Sequence, residues 1–265
     1  MDTLVEYAVE GNAARLTLNS PHNRNALSGT LVSQLHQGLR DAAADPAVRA
    51  VVLGHTGGTF CAGADLGESS AASGGDPFEM AAERAAEMAA LLRAIVESPL
   101  PVVAAIDGHV RAGGLGLVGA CDIAVAGPRS TFALTEARIG VAPAIISLTL
   151  LPKISARAAA RYYLTGEKFD AGEAAAIGLI TMAVDDVDAA VASLVAEIGR
   201  GSPQGLAASK ALTTAAVLAG FDRDAERLGT ASAQLFVSDE AREGMLAFLQ
   251  KRPPRWVQPD GGAAV

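Results

Sequence analysis

Glu136 and two glycine-bearing loops are the parts of this chain best suited to chemistry. The first loop reads Phe60-Cys61-Ala62-Gly63-Ala64-Asp65-Leu66. The second, Gly108-His109-Val110-Arg111-Ala112-Gly113-Gly114-Leu115-Gly116, runs into an apolar helix. Glycines at a strand-to-helix junction leave backbone N–H groups uncovered and let a ligand touch the main chain. If the two loops converge, they can offer a pair of donors to a developing oxyanion, each worth ~3–4 kcal/mol; tight structural turns would call for the same glycines. Glu136 stands among small and apolar residues in the stretch Thr131 to Gly140. Burial there would raise its pKa and suit it to proton transfer, whereas a partnership with Arg138 would make it an ordinary surface acid.

Other chemistries find little support. Gly114 to Gly119 matches G-x-G-x-x-G, but the dinucleotide fingerprint requires the first glycine to follow its strand directly. Here the apolar run ends at Ile106. The chain has no G-x-S-x-G elbow, no phosphate-binding G-x-x-x-x-G-K-[ST] loop and no His/Cys cluster at metal spacing. No metal and no separate cofactor are expected. His22, His36, His55 and His109 are scattered, and only His109, beside the second glycine loop, is placed for a pocket role. Cys61 and Cys121 sit in apolar or glycine-rich stretches and read as small buried thiols.

These residues need a scaffold. Leu4 to Val9 and Ala13 to Leu18 alternate apolar and polar residues around Glu10-Gly11-Asn12, which predicts a β-hairpin. Ser28 caps a helix running to about Ala44. Ala50 to Leu53, Pro101 to Ile106 and Ile123 to Ala126 are short continuous apolar strands. Pro77 to Val96 has helical spacing and stops at Ser98-Pro99. Small polar residues at 67–76 predict a loop. Strands separated by helices indicate α/β topology. From Pro203 onward three helical segments follow with no strand between them: Pro203 to Ala219, Phe221 to Leu235 beyond Gly220, and Ser238 to Lys251. The chain thus divides into a core over 1–200 and a C-terminal helical layer over 201–265.

The bulk numbers narrow the partners. A net charge of −8 with no basic run excludes a nucleic-acid surface, so an anionic ligand must be met by a few local cations. Half the residues are hydrophobic and the mean hydropathy is +0.29, which predicts a large interior or buried subunit contacts. The N-terminus has no basic and apolar leader pattern, and no apolar run approaches the ~18 residues of a membrane span. A cytoplasmic protein without membrane partners is expected.

Taken in order, the motifs resemble the crotonase (enoyl-CoA hydratase/isomerase) superfamily. They are Pro21-His22-Asn23-Arg24-Asn25-Ala26-Leu27, FCAGADL at 60–66, Ala105-Ile106-Asp107-Gly108 with AGGLGL at 112–117, Ala120-Cys121-Asp122-Ile123-Ala124, FALTEARIG at 132–140, Leu164-Thr165-Gly166 and EGMLAFLQKR at 243–252. The resemblance implies a spiral of ββα turns whose C-terminal helices trimerise, as a homotrimer or a dimer of trimers. It also implies an acyl-CoA thioester bent between the glycine loops, with coenzyme A entering as part of the substrate. The thioester oxygen would meet the N–H groups of Ala64 and Gly113. The Ala62 carbonyl would face the adenine, Arg24 and Ala26 would border the nucleotide, and Lys251 beside Phe248 would reach the phosphates, from a neighbouring subunit. Asp65, Leu66 and Gly116 complete the implied substrate contacts.

One departure bears on the reaction. Hydratases of this superfamily carry two glutamates; the later matches Glu136, while the earlier position is Gly116 here. The resemblance to bacterial hydratases of the methylglutaconyl-CoA type implies water addition to a 2-enoyl-CoA, branched or carboxylated, with Glu136 acting alone. A Δ3,Δ2-enoyl-CoA isomerase using Glu136 as shuttle, with the space at Gly116 given to the acyl group, and a non-catalytic acyl-CoA-binding subunit are the competing readings.

Overall fold

The computed structural model describes residues 2–65, 67 and 75–257. Its strands are β1 (Val5–Glu10), β2 (Ala13–Leu18), β3 (Ala50–His55), β4 (Thr59–Cys61), β5 (Val102–Ile106), β6 (His109–Arg111), β7 (Ile123–Ala126), β8 (Thr131–Ala133), β9 (Phe169–Asp170) and β10 (Met182–Ala183). Its helices are α1 (Gly29–Ala44), α2 (Pro77–Glu97), α3 (Gly113–Ala120), α4 (Ser147–Leu150), α5 (Ala156–Thr165), α6 (Ala171–Ala176), α7 (Val187–Ile198), α8 (Pro203–Phe236) and α9 (Asp239–Leu249).

Successive strand–strand–helix units build the spiral expected of the crotonase fold. β1 and β2 form the predicted hairpin, turning at Gly11 with φ +63°. From there each unit sends its first strand to one sheet and its second to another. The larger sheet has the order β1-β2-β3-β5-β7-β10, and the smaller β4-β6-β8-β9. Apart from the β1–β2 pairing the large sheet is parallel. The continuous apolar runs of β3, β5 and β7 suit strands covered on both faces. Ser28 accepts from the Leu31 N–H at 3.3 Å and starts α1, and Asp76 caps α2 through the Phe78 N–H at 2.8 Å.

The C-terminal region corrects one expectation. Gly220 does not separate two helices, because Pro203–Phe236 is a single helix. A Gly in a helix interior costs only ~1 kcal/mol, and α8 recovers more than that by packing along α2. The buried Lys210 of α8 donates to the carbonyls of Ile95 (2.9 Å) and Leu100 (3.0 Å) and pairs with Asp122 at 2.7 Å. The last helix begins at its Ser238 cap but ends at Leu249, so Lys251 lies just beyond it. Among the described residues no helix is long and apolar enough to cross a membrane.

Candidate active site

The small sheet gathers the site. β4, β6 and β8 are parallel neighbours, and each carboxyl end releases one candidate element. β4 leads into Ala62–Ala64, β6 into Gly113, and β8 into Glu136. Ligands in parallel α/β sheets bind outside the carboxyl ends of the strands. Segments far apart in sequence are therefore brought to one edge because three short strands pair side by side, with a register shift between Thr59 and Cys61 of β4.

The two glycine loops touch. A Cβ built on Gly63, whose φ is +91°, would lie 2.9 Å from Ala112 Cβ and 3.2 Å from Gly113 N. Leu27 makes both hydrogen bonds of a parallel bridge with the first loop, donating to Gly63 O (2.8 Å) and accepting from Asp65 N (3.3 Å). That pattern turns the Ala64 N–H away from Leu27, on an exposed residue. Gly113 opens α3, where first-turn N–H groups have no intrahelical acceptor and the helix dipole favours negative charge. Ala112 before it takes φ +47°, a conformation costly for a residue with a side chain. Gly63, which precedes one expected oxyanion donor, thus stands against Gly113, the other, on two loops that touch.

The nucleotide-side candidates join the same frame. Arg24 O accepts from Ala62 N at 3.1 Å, and Asn23 Nδ2 donates to Asp65 Oδ2 at 3.0 Å. Beneath them the fully buried Asn25 accepts from Ser20 N (2.7 Å) and donates to the carbonyls of Thr56 (3.1 Å) and Thr59 (2.8 Å). Asn25 is a positioning residue that sequence reading passed over; its place between Arg24 and Ala26 was the available signal. Ala26 is buried and Arg24 exposed. Leu66 and most of the 67–76 segment lie outside the described residues.

Glu136 is the titratable candidate of the site. It heads a one-turn 3₁₀ segment, Glu136–Ile139, and is buried. Burial pushes its carboxyl up to about 7, and Oε2 has no hydrogen-bond partner among the described residues. Arg138 does not pair with it; its guanidinium donates to the Thr165 carbonyl at 3.1 and 2.9 Å. Tyr163 stands within electrostatic range of Glu136, is held up to about 12 chiefly by burial, and shares a 3.1 Å hydrogen bond with Ser147. A buried carboxyl near neutral pKa with a free oxygen can both accept and return a proton.

Other candidates fall elsewhere. The space expected at Gly116 is filled: a Cβ there would lie 2.5 Å from Ile146 Cγ2 and 3.3 Å from Leu92 Cδ1. The G-x-G-x-x-G glycines are inside α3, where Gly114 packs on Cys61 and Gly119 on Thr149 and Leu150. His109 begins β6, at the end away from Gly113, and its Nδ1 lies 2.9 Å from Thr131 Oγ1. Cys61 and Cys121 are buried thiols pushed up to about 12 by desolvation. Phe248 and Lys251 are exposed, and α9 lies on the Glu136–Ile139 turn of its own chain. Close glycine contacts make that seat: a Cβ on Gly244 would lie 2.5 Å from the Ile139 carbonyl carbon, and one on Gly140 2.6 Å from that of Glu240. No hydrogen bond or ion pair among the described residues joins Lys251 to the 24–26 or 62–65 segments.

The sequence profile of the enoyl-CoA hydratase/isomerase family matches residues 8–259. The chain belongs to that family. An enoyl-CoA hydratase of known structure from Mycobacterium avium is 77% identical, superposes with a TM-score of 0.90, and is matched over 97% of this chain and 100% of its own. Enoyl-CoA hydratase EchA19 of Mycobacterium tuberculosis is 31% identical over 264 residues, 96% of each chain. The human mitochondrial methylglutaconyl-CoA hydratase is 31% identical over 253 residues, 91% of this chain and 72% of its own. As an enzyme of the enoyl-CoA hydratase/isomerase family, with the crotonase fold, the protein takes acyl-CoA substrates, and the carboxyl ends of β4, β6 and β8 are where its candidate residues meet.

Proposed function

We propose that this enzyme adds water across the C2=C3 bond of a 2-enoyl-CoA, with Glu136 as its single acid/base. The observation that supports the reading is the buried Glu136, raised to about 7, whose Oε2 has no hydrogen-bond partner among the described residues, and which follows the strand next to the one that leads to Gly113. Glu136 takes a proton from water as the water oxygen bonds to C3. The C=C electrons move to the thioester oxygen, and the resulting enolate is held by the two N–H donors without reorganisation. The enolate then collapses as C2 takes the proton from Glu136, so that H and OH are added and the carboxylate is restored. Arg24, Ala26, Ala62 and Lys251 would border the coenzyme A moiety. Leu246, Phe248 and Leu249 on α9 are 45%, 58% and 60% exposed, an apolar surface in keeping with assembly through the C-terminal helices into a trimer or a dimer of trimers.

Ile146 over Gly116 favours a second reading, because an apolar side chain stands where a second acid would assist water. An isomerase needs only Glu136, moving one proton between C4 and C2. Turnover in H₂¹⁸O separates the two. The hydratase places label at C3 of a 3-hydroxyacyl-CoA, while conversion of a 3-enoyl-CoA to its 2-enoyl isomer without label would replace the proposal.

A further inference from the structure

We infer that the polar face of the small sheet carries a second binding site, for a phosphate or carboxylate anion, built from Lys168, Thr131, His109 and Arg111. Strand alternation sorts the two faces of this sheet. Val110, Phe132 and Phe169 are buried on one, where the two phenylalanine rings stack at 5.6 Å. His109 and Arg111 of β6, Thr131 of β8 and Asp170 of β9 take the other, with Thr131 between His109 and Asp170 in the strand register. Thr131 stands at the amino end of β8, away from the end that leads to Glu136.

An open cavity of about 430 Å³ lies there, lined by Thr131, Lys168 and Asp170 together with Arg161, Tyr162 and Glu173. Its acids are already committed. Asp170 caps α6 by accepting from the Glu173 N–H at 2.8 Å. Glu173 accepts from the Tyr162 hydroxyl at 2.6 Å and faces Arg161 at 3.7 Å, and Glu167 pairs with the same guanidinium at 2.5 Å. Two cations beside them are not balanced. The half-buried Arg111 donates only to neutral acceptors: the Val110 carbonyl (2.8 Å), the Thr131 carbonyl (2.6 Å) and Thr131 Oγ1 (2.8 Å). Lys168 makes no hydrogen bond or ion pair among the described residues. Burial, then Arg111 and Lys168, hold the His109 pKa below its ordinary value, so both cations lie within electrostatic range of that ring.

A half-buried charge with no counter-charge is costly, and an entering oxyanion would supply one. Lys168 offers it an ammonium group. Thr131 Oγ1 accepts from Arg111 and lies 2.9 Å from His109 Nδ1. If the hydroxyl donates to that nitrogen, the ring keeps its Nε2–H for the ligand; if the ring donates instead, the hydroxyl proton is left over. Either arrangement adds a neutral donor to the cations, the combination that charge-assisted binding of phosphate or carboxylate uses.

Calorimetric titration of the full-length protein with inorganic phosphate and with succinate, at constant ionic strength, tests the site and tells the two anions apart. At least one of them should bind, with a Kd in about the millimolar range. Lys168→Ala should weaken that binding by about tenfold, Thr131→Val should weaken it as well, and Lys168→Arg should restore most of it. Lys251→Ala should leave it unchanged, and Lys168→Ala should leave coenzyme A affinity unchanged, because the two sites are separate. Binding of neither anion to the wild type, or binding that Lys168→Ala leaves intact, overturns the inference. So does a parallel loss of coenzyme A affinity in Lys168→Ala, which would make these residues part of the acyl-CoA cleft.

Discussion

Ile146 occupies the volume beside Gly116. A Cβ on that glycine would come within 2.5 Å of Ile146 Cγ2, and the buried Thr149 hydroxyl lies 3.1 Å from both the Gly116 and Ile146 carbonyl oxygens. Helix α3 and the segment after Glu136 are thereby locked together at one contact. Gly116→Ala should destabilise the protein by about 1–3 kcal/mol through overpacking, despite the better helix propensity of alanine. Adding Ile146→Ala, which removes Cγ2, should recover part of the loss. Urea denaturation of the single and double variants reads the coupling. Additive effects would mean that the two side chains do not meet.

Glu136→Gln should abolish turnover. The amide keeps the volume but can neither accept nor return a proton, and general acid–base roles contribute typically ~10²–10⁴-fold. With no second carboxylate at position 116 to share the work, the loss should reach the upper part of that range while acyl-CoA affinity stays within a few-fold. In the wild type, kcat/KM should fall as pH drops through about 7, where Glu136 becomes protonated. A variant retaining most of its kcat would give the proton transfers to another group.

The same carboxyl makes a prediction about stability. Its folded pKa of about 7 lies above the ordinary 4.5, because burial disfavours the charge. Folding therefore takes up a proton between those values, and stability falls as pH rises through that window. The burden is about 3 kcal/mol once Glu136 is ionised. Glu136→Gln removes it, so the variant should melt above the wild type at pH 8.5, and the gap should shrink as pH falls toward 4.5. Melting curves of the two proteins across that range check both the sign and the window. A gap independent of pH would mean that Glu136 titrates normally.

The large sheet was legible because β3, β5 and β7 are continuous apolar runs, and α1 because Ser28 and its leucine spacing mark it. The small sheet was not. β4, β6 and β8 are three residues each, too short to carry a period, yet their pairing is what brings Ala64, Gly113 and Glu136 to one edge. The burial of Glu136 could not be read locally either. The flanking residues allowed a surface pair with Arg138, and only the fold turns that guanidinium toward Thr165. Gly220 misled because local propensity marks it as a break, whereas the contact of α8 with α2 overrides it. Ile146 carries no local signal, since its partner lies in a helix thirty positions earlier.

Lys251 provides a test of where the anionic end of the ligand lies. It follows α9 with φ +54°, in a turn held by Arg252, whose guanidinium spans both oxygens of Glu243 at 2.7 and 2.9 Å. That pairing, with the Arg255 N–H at 2.9 Å, draws the Glu243 carboxyl down to about 2. The turn is thus fixed while the Lys251 side chain is left at the surface. Coenzyme A phosphates must be met by such cations in a chain of charge −8, and exposed contacts are screened over roughly 8–10 Å at physiological salt. Acyl-CoA affinity should therefore fall as salt rises. Lys251→Ala should raise KM severalfold and flatten that salt dependence, with kcat within about twofold, because the contact is the same in ground and transition states. Steady-state kinetics of both proteins at low and high ionic strength separate these effects. Unchanged KM with an unchanged salt slope would place the phosphates away from the C-terminal turn.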